Sequence, residues 1–345
     1  MEFRSLGRSG LKVSQFGFGA MTFAGSPGGF GKIGETSGAA AQKQVDICLD
    51  AGINFFDTAD GYDAGQSEII LGEALGLRRP EVVVATKAFL PTGKQGVNDR
   101  GLGRRHLIMA CEESLKRLGT DWIDLYQLHV FDAAVPLEET LSALDHLVTS
   151  GKVRYVGCSN FFGWQVIKGL ALADQRGFER FISNQIQYSL MIRDAEDEIL
   201  PCGIDQGVGA IVWGAMAAGF LSGKYSGDIG SGKARLATDP RLAEYQGRGG
   251  DVLAALAAIA AERGVSQGQV ALNWVANRKG VTSVLVGARS EEQLLDNLAA
   301  SQWSLSEPEI DRLDKASQEP RRRYPDSHQR GMFAERNPPI YRYHS

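Results

Sequence analysis

Eight short apolar runs, spaced so that several gaps can hold a helix, dominate this chain. They are FGFGA (16–20), INFFDTA (53–59), VVVATKA (82–88), DLYQLHV (124–130), VRYVGCSN (153–160), FISNQIQYS (181–189), GAIVWG (209–214) and TSVLVGA (282–288). Near-continuous apolar runs of this length fit strands buried on both faces, as in parallel sheets. Between them, Arg104 to Leu118 places Leu107, Ile108, Cys111, Leu115 and Leu118 on one helical face, and Leu137 to Val148 repeats the pattern. Gly119 and Gly151 stand just beyond these helices, where a left-handed residue ends the last turn. Strand–helix alternation of this kind requires parallel strands with right-handed crossovers. An open doubly wound sheet also alternates, but eight runs without a midpoint linker favour a closed (β/α)8 barrel. The expected fold is therefore one α/β barrel domain over 1–345, with the barrel itself from about residue 10 to about 318.

FRSLGRSGLKVSQFG (3–17) reads as a β-hairpin ahead of the barrel. Residues 215–250 form a glycine-rich insert before a helix at Asp251–Arg263, and 319–345 form an irregular tail without period. A net charge of -4 gives no reason to expect nucleic acid or an acidic membrane surface as partner. The longest apolar run, Val252 to Ala261, is far below the ~20 residues of a membrane helix. MEFRSLGRSG has no apolar signal segment, and Cys48, Cys111, Cys158 and Cys202 form no C-x-x-C pair. A cytoplasmic protein with free thiols and a small-molecule partner is expected, its oligomeric state open.

Two glycine-rich stretches fail as phosphate loops. GFGAMTFAG has Thr22 where the dinucleotide fingerprint G-x-G-x-x-G needs its last glycine. GSPGGFGKI has Ser26 and Ile33 where a Walker A loop needs Gly and a hydroxyl for magnesium.

The C-terminal ends of the eight runs carry Asp57, Lys87, His129, Ser159, Asn160, Gln185 and Trp213, with Tyr62 on the loop after Asp57. In a (β/α)8 barrel those ends converge on one face, where catalytic groups sit. A tyrosine has an ordinary pKa near ~10, which a neighbouring ammonium lowers. Asp57 is thus expected to hold Lys87, Lys87 to tune Tyr62, and His129 to orient a carbonyl. Such a set polarises C=O and protonates its oxygen, but it has no nucleophile and no metal cage. The electrons must come from a cofactor.

GINFFDTADGYDAGQSEIILGEAL (52–75), with Asp57, Tyr62, Ser67 and Glu68, resembles the first signature of the aldo-keto reductases. Lys87 in VVVATKA and His129 in DLYQLH complete what resembles their Asp–Tyr–Lys–His tetrad, and the likeness runs from about residue 3 to about 318. The resemblance implies a nicotinamide cofactor held by Ser159, Asn160 and Gln185 at the carboxamide, with Trp213 stacked on the ring and Thr22 and Gly214 nearby. It implies Leu221, Gly223 and Lys224 along the pyrophosphate, and Gly287, Arg289, Gln293, Asp296 and Asn297 around the adenosine. Gly287 stands where many members carry lysine, so Arg289 is left to meet a 2′-phosphate, and NADP(H) is expected over NAD(H). The function so implied is NADPH-dependent reduction of an aldehyde or ketone with Tyr62 as general acid/base. The substrate is expected to be selected by Thr22, Phe23, the loops 89–103 and 130–136, and the tail. The alternative is an NADPH-binding regulatory subunit, since potassium-channel β-subunits resemble the same family.

Overall fold

The computed structural model describes residues 1–24, 36–92, 96–224 and 241–318. The failed Walker stretch, the middle of the insert and the tail from 319 onward lie outside the described residues. Ten strands are present among them: β1 (Phe3–Ser5), β2 (Lys12–Ser14), β3 (Phe16–Gly19), β4 (Phe55–Asp57), β5 (Val83–Ala88), β6 (Ile123–Leu128), β7 (Val153–Ser159), β8 (Phe181–Gln187), β9 (Gly209–Trp213) and β10 (Val281–Val286). The helices are α1 (Gly38–Asp50), α2 (Gln66–Leu75), α3 (Arg104–Leu118), α4 (Leu137–Thr149), α5 (Gly163–Arg176) and α6 (Ile199–Gln206). They continue with α7 (Arg241–Arg248), α8 (Gly250–Arg263), α9 (Gln267–Ala276), α10 (Glu291–Ala299) and α11 (Glu307–Ala316).

Strands β3 to β10 are all parallel and close on themselves, with Val284 of β10 paired to Phe16 of β3. The expected (β/α)8 barrel is what the chain forms, preceded by the antiparallel β1–β2 hairpin. The hairpin is shorter than its sequence run, because Phe16 and Gly17 belong to the first barrel strand. Leu6 and Val13, beside and on the hairpin, pack with Phe55, Val83, Ala85, Leu125 and Ile211, which stoppers the barrel from its N-terminal end.

Strand alternation sorts the side chains into two environments. Phe56, Val84, Tyr126, Val156, Ile186 and Val212 face out and share a core with the helices. Phe55, Ala85, Leu125 and Ile211 face in and fill the lower lumen. Gly17 completes that layer by what it lacks: a Cβ there would meet Phe55 Cδ1 at 2.6 Å. One step further along β4 to β8 the inward positions turn polar, at Asp57, Lys87, Gln127, Ser159 and Gln185. An apolar floor under a polar upper layer is thus built from a period of two.

Helices α3 and α4 lie where the periodicity places them, and Gly119 and Gly151 adopt the left-handed conformation expected after them. The described part of the insert holds a 3-10 turn at Ala217–Ser222 and helix α7, with Tyr245 of α7 packed 5.6 Å from Phe220. No helix among the described residues is long and apolar enough to cross a membrane.

Candidate active site

Asp57 is the last residue of β4, 2% exposed, and Lys87 is the penultimate residue of β5, with no exposed surface. Lys87 Nζ donates to Asp57 Oδ1 at 2.5 Å, to Thr58 O at 2.8 Å and to Tyr62 Oη at 3.2 Å. The chain between them stays fixed because it keeps bonding to β5 after β4 ends. Thr58 N–H donates to Ala85 O at 2.9 Å and Asp60 N–H to Lys87 O at 3.0 Å. Tyr62 then opens a turn in which Asp63, Ala64 and Gly65 are all left-handed, with φ of 47, 53 and 92°. Two non-glycine residues in that region are costly, and such strain gathers at functional sites.

His129 follows β6 directly, held by its N–H to Ala88 O at 3.1 Å. Its ring meets Tyr62 edge-on, with centroids 5.8 Å apart, and its Nδ1 is buried with no partner. Four sequence-predicted residues from three strands therefore meet at one point.

The electrostatics refine the expectation for Tyr62. Burial pushes its phenol up, the Lys87 charge pulls it back down, and the net direction is upward. The ammonium does not make the resting tyrosine more acidic than usual, as the sequence had led us to expect; burial outweighs it. Tyr62 thus rests as a phenol, the form that donates. Burial also works against the Lys87 charge, but Asp57 and Tyr62 outweigh it and hold Lys87 above its ordinary value. His129 is pushed down to about 3 by burial and the nearby Lys87 charge, so its imidazole is neutral.

Asp57 does more than meet Lys87. Its Oδ2 accepts from Gln127 Nε2 at 3.0 Å and Gln185 Nε2 at 2.7 Å. Gln185 lies two residues before the end of β8, not at it. Gln127 escaped the sequence reading, although its place two residues before His129 puts it on the inward face by alternation.

Across the mouth, the strand ends are tied into one frame. Ser159 Oγ donates to Gln185 O at 2.9 Å and accepts from Asn160 Nδ2 at 3.0 Å. Asn160, with φ 57°, also donates Nδ2 to His129 O at 3.0 Å and accepts from Trp213 Nε1 at 3.1 Å. Trp213 is half-buried, so its indole borders the opening rather than filling the core, and Gly214 follows with φ 75°. Thr22, at the end of the turn after β3, holds a buried Oγ1 with no partner.

Two further groups lie on the same face. In the turn after β9, Ala217, Ala218, Gly219 and Gly223 are left-handed, Leu221 is buried and Lys224 is exposed. After β10, exposed Arg289 donates its N–H to Gln293 Oε1 at 3.2 Å, and Ser290 caps α10. Asn297 Nδ2 reaches Gly287 O at 3.5 Å, while Asp296 accepts from Ser266 Oγ at 2.7 Å and Gln269 Nε2 at 2.6 Å. Of the residues expected around the adenosine, Arg289 and Gln293 meet at the start of α10 and Asn297 reaches back to Gly287. Asp296 is committed to helix α9.

These features suit a nicotinamide dinucleotide. A half-exposed indole offers a stacking face, the unpartnered Thr22 hydroxyl offers a polar contact, and a run of left-handed backbone suits an anion. The α10 N-terminus adds a favourable dipole for phosphate.

A sequence profile of the Aldo/keto reductase family matches residues 15–318. A probable voltage-gated potassium channel subunit beta from Oryza sativa subsp. japonica is 37% identical over 314 residues, covering 87% of this chain and 91% of that protein. An uncharacterized oxidoreductase of Bacillus subtilis (strain 168), YrpG, is 39% identical over 320 residues, covering 88% and 92%. A probable voltage-gated potassium channel subunit beta from Arabidopsis thaliana is 35% identical over 314 residues, covering 87% and 91%.

Proposed function

Because this chain belongs to the aldo/keto reductase family, we propose that it reduces an aldehyde or ketone with NADPH as reductant, Tyr62 protonating the carbonyl oxygen. The observation that carries this reading is the Lys87 ammonium, wholly buried and shared between Asp57 and Tyr62 at 2.5 and 3.2 Å. When bound, the nicotinamide supplies the hydride. The chain's own residues do the rest. Neutral His129 and the Tyr62 hydroxyl orient the carbonyl oxygen between them. As negative charge develops there, Tyr62 hands over its proton, and the phenolate left behind is stabilised by Lys87 Nζ. Asp57 keeps Lys87 in place and charged throughout.

Trp213, fixed by its bond to Asn160, would stack on the nicotinamide ring. Ser159, Asn160 and Gln185 would hold its carboxamide, with Gln185 offering its carbonyl oxygen because its Nε2 is committed to Asp57. Leu221, Gly223 and Lys224 would line the pyrophosphate, with Gly214 nearer the ring, and Arg289 with Gln293 and Asn297 would take the adenosine end and set the preference for NADP(H). Thr22 and the loops after β5 and β6 face the substrate.

A second reading, an NADPH-binding regulatory subunit, draws on the relatives named as potassium channel β subunits. Turnover of a simple aromatic aldehyde with NADPH separates the two. Steady NADPH oxidation that requires the aldehyde supports the reductase, and tight NADPH binding without turnover across a panel of carbonyls supports the subunit.

A further inference from the structure

Behind the barrel wall, under α2 and α3, a second set of buried charges stands apart from the proposed chemistry. Glu68 has no exposed surface and accepts from Arg117 Nε at 2.6 Å and Thr86 Oγ1 at 2.5 Å. On the lumen side stands the Asp57–Lys87 pair. Two acids and two bases balance. Asp60 is the odd group: it too has no exposed surface, and neither carboxyl oxygen has a side-chain partner, although the Gly61 N–H stands beside it.

The groups whose charge reaches Asp60 are Glu68 on α2, Arg117 on α3, Lys87 on β5, Tyr126 on β6 and Tyr62 on its own loop. Arg117 and Lys87 are already paired with Glu68 and Asp57. A buried carboxylate without a counterion of its own is expensive, and such a group keeps its proton instead. Burial and the Glu68 charge both act in that direction on Asp60.

We propose that Asp60 is a positioning residue that acts on Tyr62 through its own proton. Neutral, it leaves the Lys87 charge balanced between Asp57 and Tyr62. Ionised, it adds a negative charge that opposes the phenolate of Tyr62. The two directions of the proposed reaction then feel Asp60 differently. Reduction uses the phenol, whereas alcohol oxidation needs the phenolate as base, so ionised Asp60 restrains oxidation at alkaline pH. The inference rests on Tyr62 being the acid/base group, as proposed above.

Asp60→Asn, close in shape to the neutral acid, tests it in the full-length chain. The ultraviolet phenolate titration assigned to Tyr62 by its loss in Tyr62→Phe should move to lower pH in Asp60→Asn. The pH profile of alcohol oxidation with NADP+ should bend at lower pH in the variant, by the same amount as the titration moves. Stability supplies an independent readout. The folded wild type holds a proton that the unfolded aspartate releases above its ordinary value, so its stability falls as pH rises through that window. Asp60→Asn escapes this, and its melting temperature should equal or exceed wild type at pH 7, with the gap growing from pH 4 upward. A variant that fails to fold, melts lower at pH 7, or leaves the Tyr62 titration unmoved overturns the proposal. If the titration moves but neither direction turns over, Asp60 acts as proposed and the reductase reading is what fails.

Discussion

Replacing Asp57 with asparagine keeps the shape of the side chain and removes one charge, which makes it a clean probe of the site. If Asp57 did no more than aim Lys87, the effect would be mild. The structure argues for a large one. Lys87 has no exposed surface, and Asp57 is its sole acidic partner, at 2.5 Å, among the described residues. Removing one partner of a buried pair typically costs about 3–5 kcal/mol, because the other charge is left uncompensated. Hydrogen bonding adds to this. Asp57 accepts from Lys87, Gln127 and Gln185 together, and an amide nitrogen placed among these donors has nothing to donate to. Urea unfolding should therefore show a loss of at least about 3 kcal/mol at neutral pH. The double variant Asp57→Asn/Lys87→Met should lose less than the sum of the single changes, since the stranded charge is gone. A loss under about 1 kcal/mol, the range of an exposed ion pair, would refute the reasoning.

Arg289→Ala should weaken NADPH binding by about 1.5–3 kcal/mol, the worth of a charge-assisted hydrogen bond, and leave NADH nearly unaffected; equal losses in titrations of both coenzymes would remove Arg289 from the 2′-phosphate. Gly65→Ala should lower kcat with NADPH affinity retained. Position 65 has φ 92°, which strains any L side chain, and a Cβ there meets Arg117 Cδ at 2.6 Å, so the turn carrying Tyr62 or the Arg117–Glu68 pair beside it must shift. Unchanged kcat in this variant would show that the turn tolerates the added methyl group.

Fold and site were legible in the sequence to different depths, for physical reasons. The barrel could be read because strands buried on two faces need long apolar runs, and α3 and α4 because one buried face imposes a 3.6-residue period. Lys87 stood out because an ammonium at the end of VVVATKA is foreign to its surroundings. Gln127 did not, because an uncharged amide inside DLYQLH raises no such conflict. Its role depends on the inward direction of β6 and on Asp57 lying across the lumen. Asp60 was hidden for a related reason: beside Gly61 and Tyr62 it reads as a loop residue, and only packing under α2 and α3 reveals its burial. The direction of the Tyr62 shift was missed because a sequence shows the neighbouring charge and not the depth of burial that outweighs it.

The central claim is that Tyr62 delivers the proton in an NADPH-dependent carbonyl reduction. Tyr62→Phe removes the hydroxyl that Lys87 Nζ reaches at 3.2 Å and keeps the ring that meets His129. General acid–base catalysis is commonly worth about 10²–10⁴-fold, so kcat should fall by at least about 100-fold while NADPH binds as in wild type. The direct measurement is NADPH affinity and aldehyde turnover on the same preparation of Tyr62→Phe. Intact affinity with turnover nearly lost is the predicted result, and turnover close to wild type would contradict the mechanism.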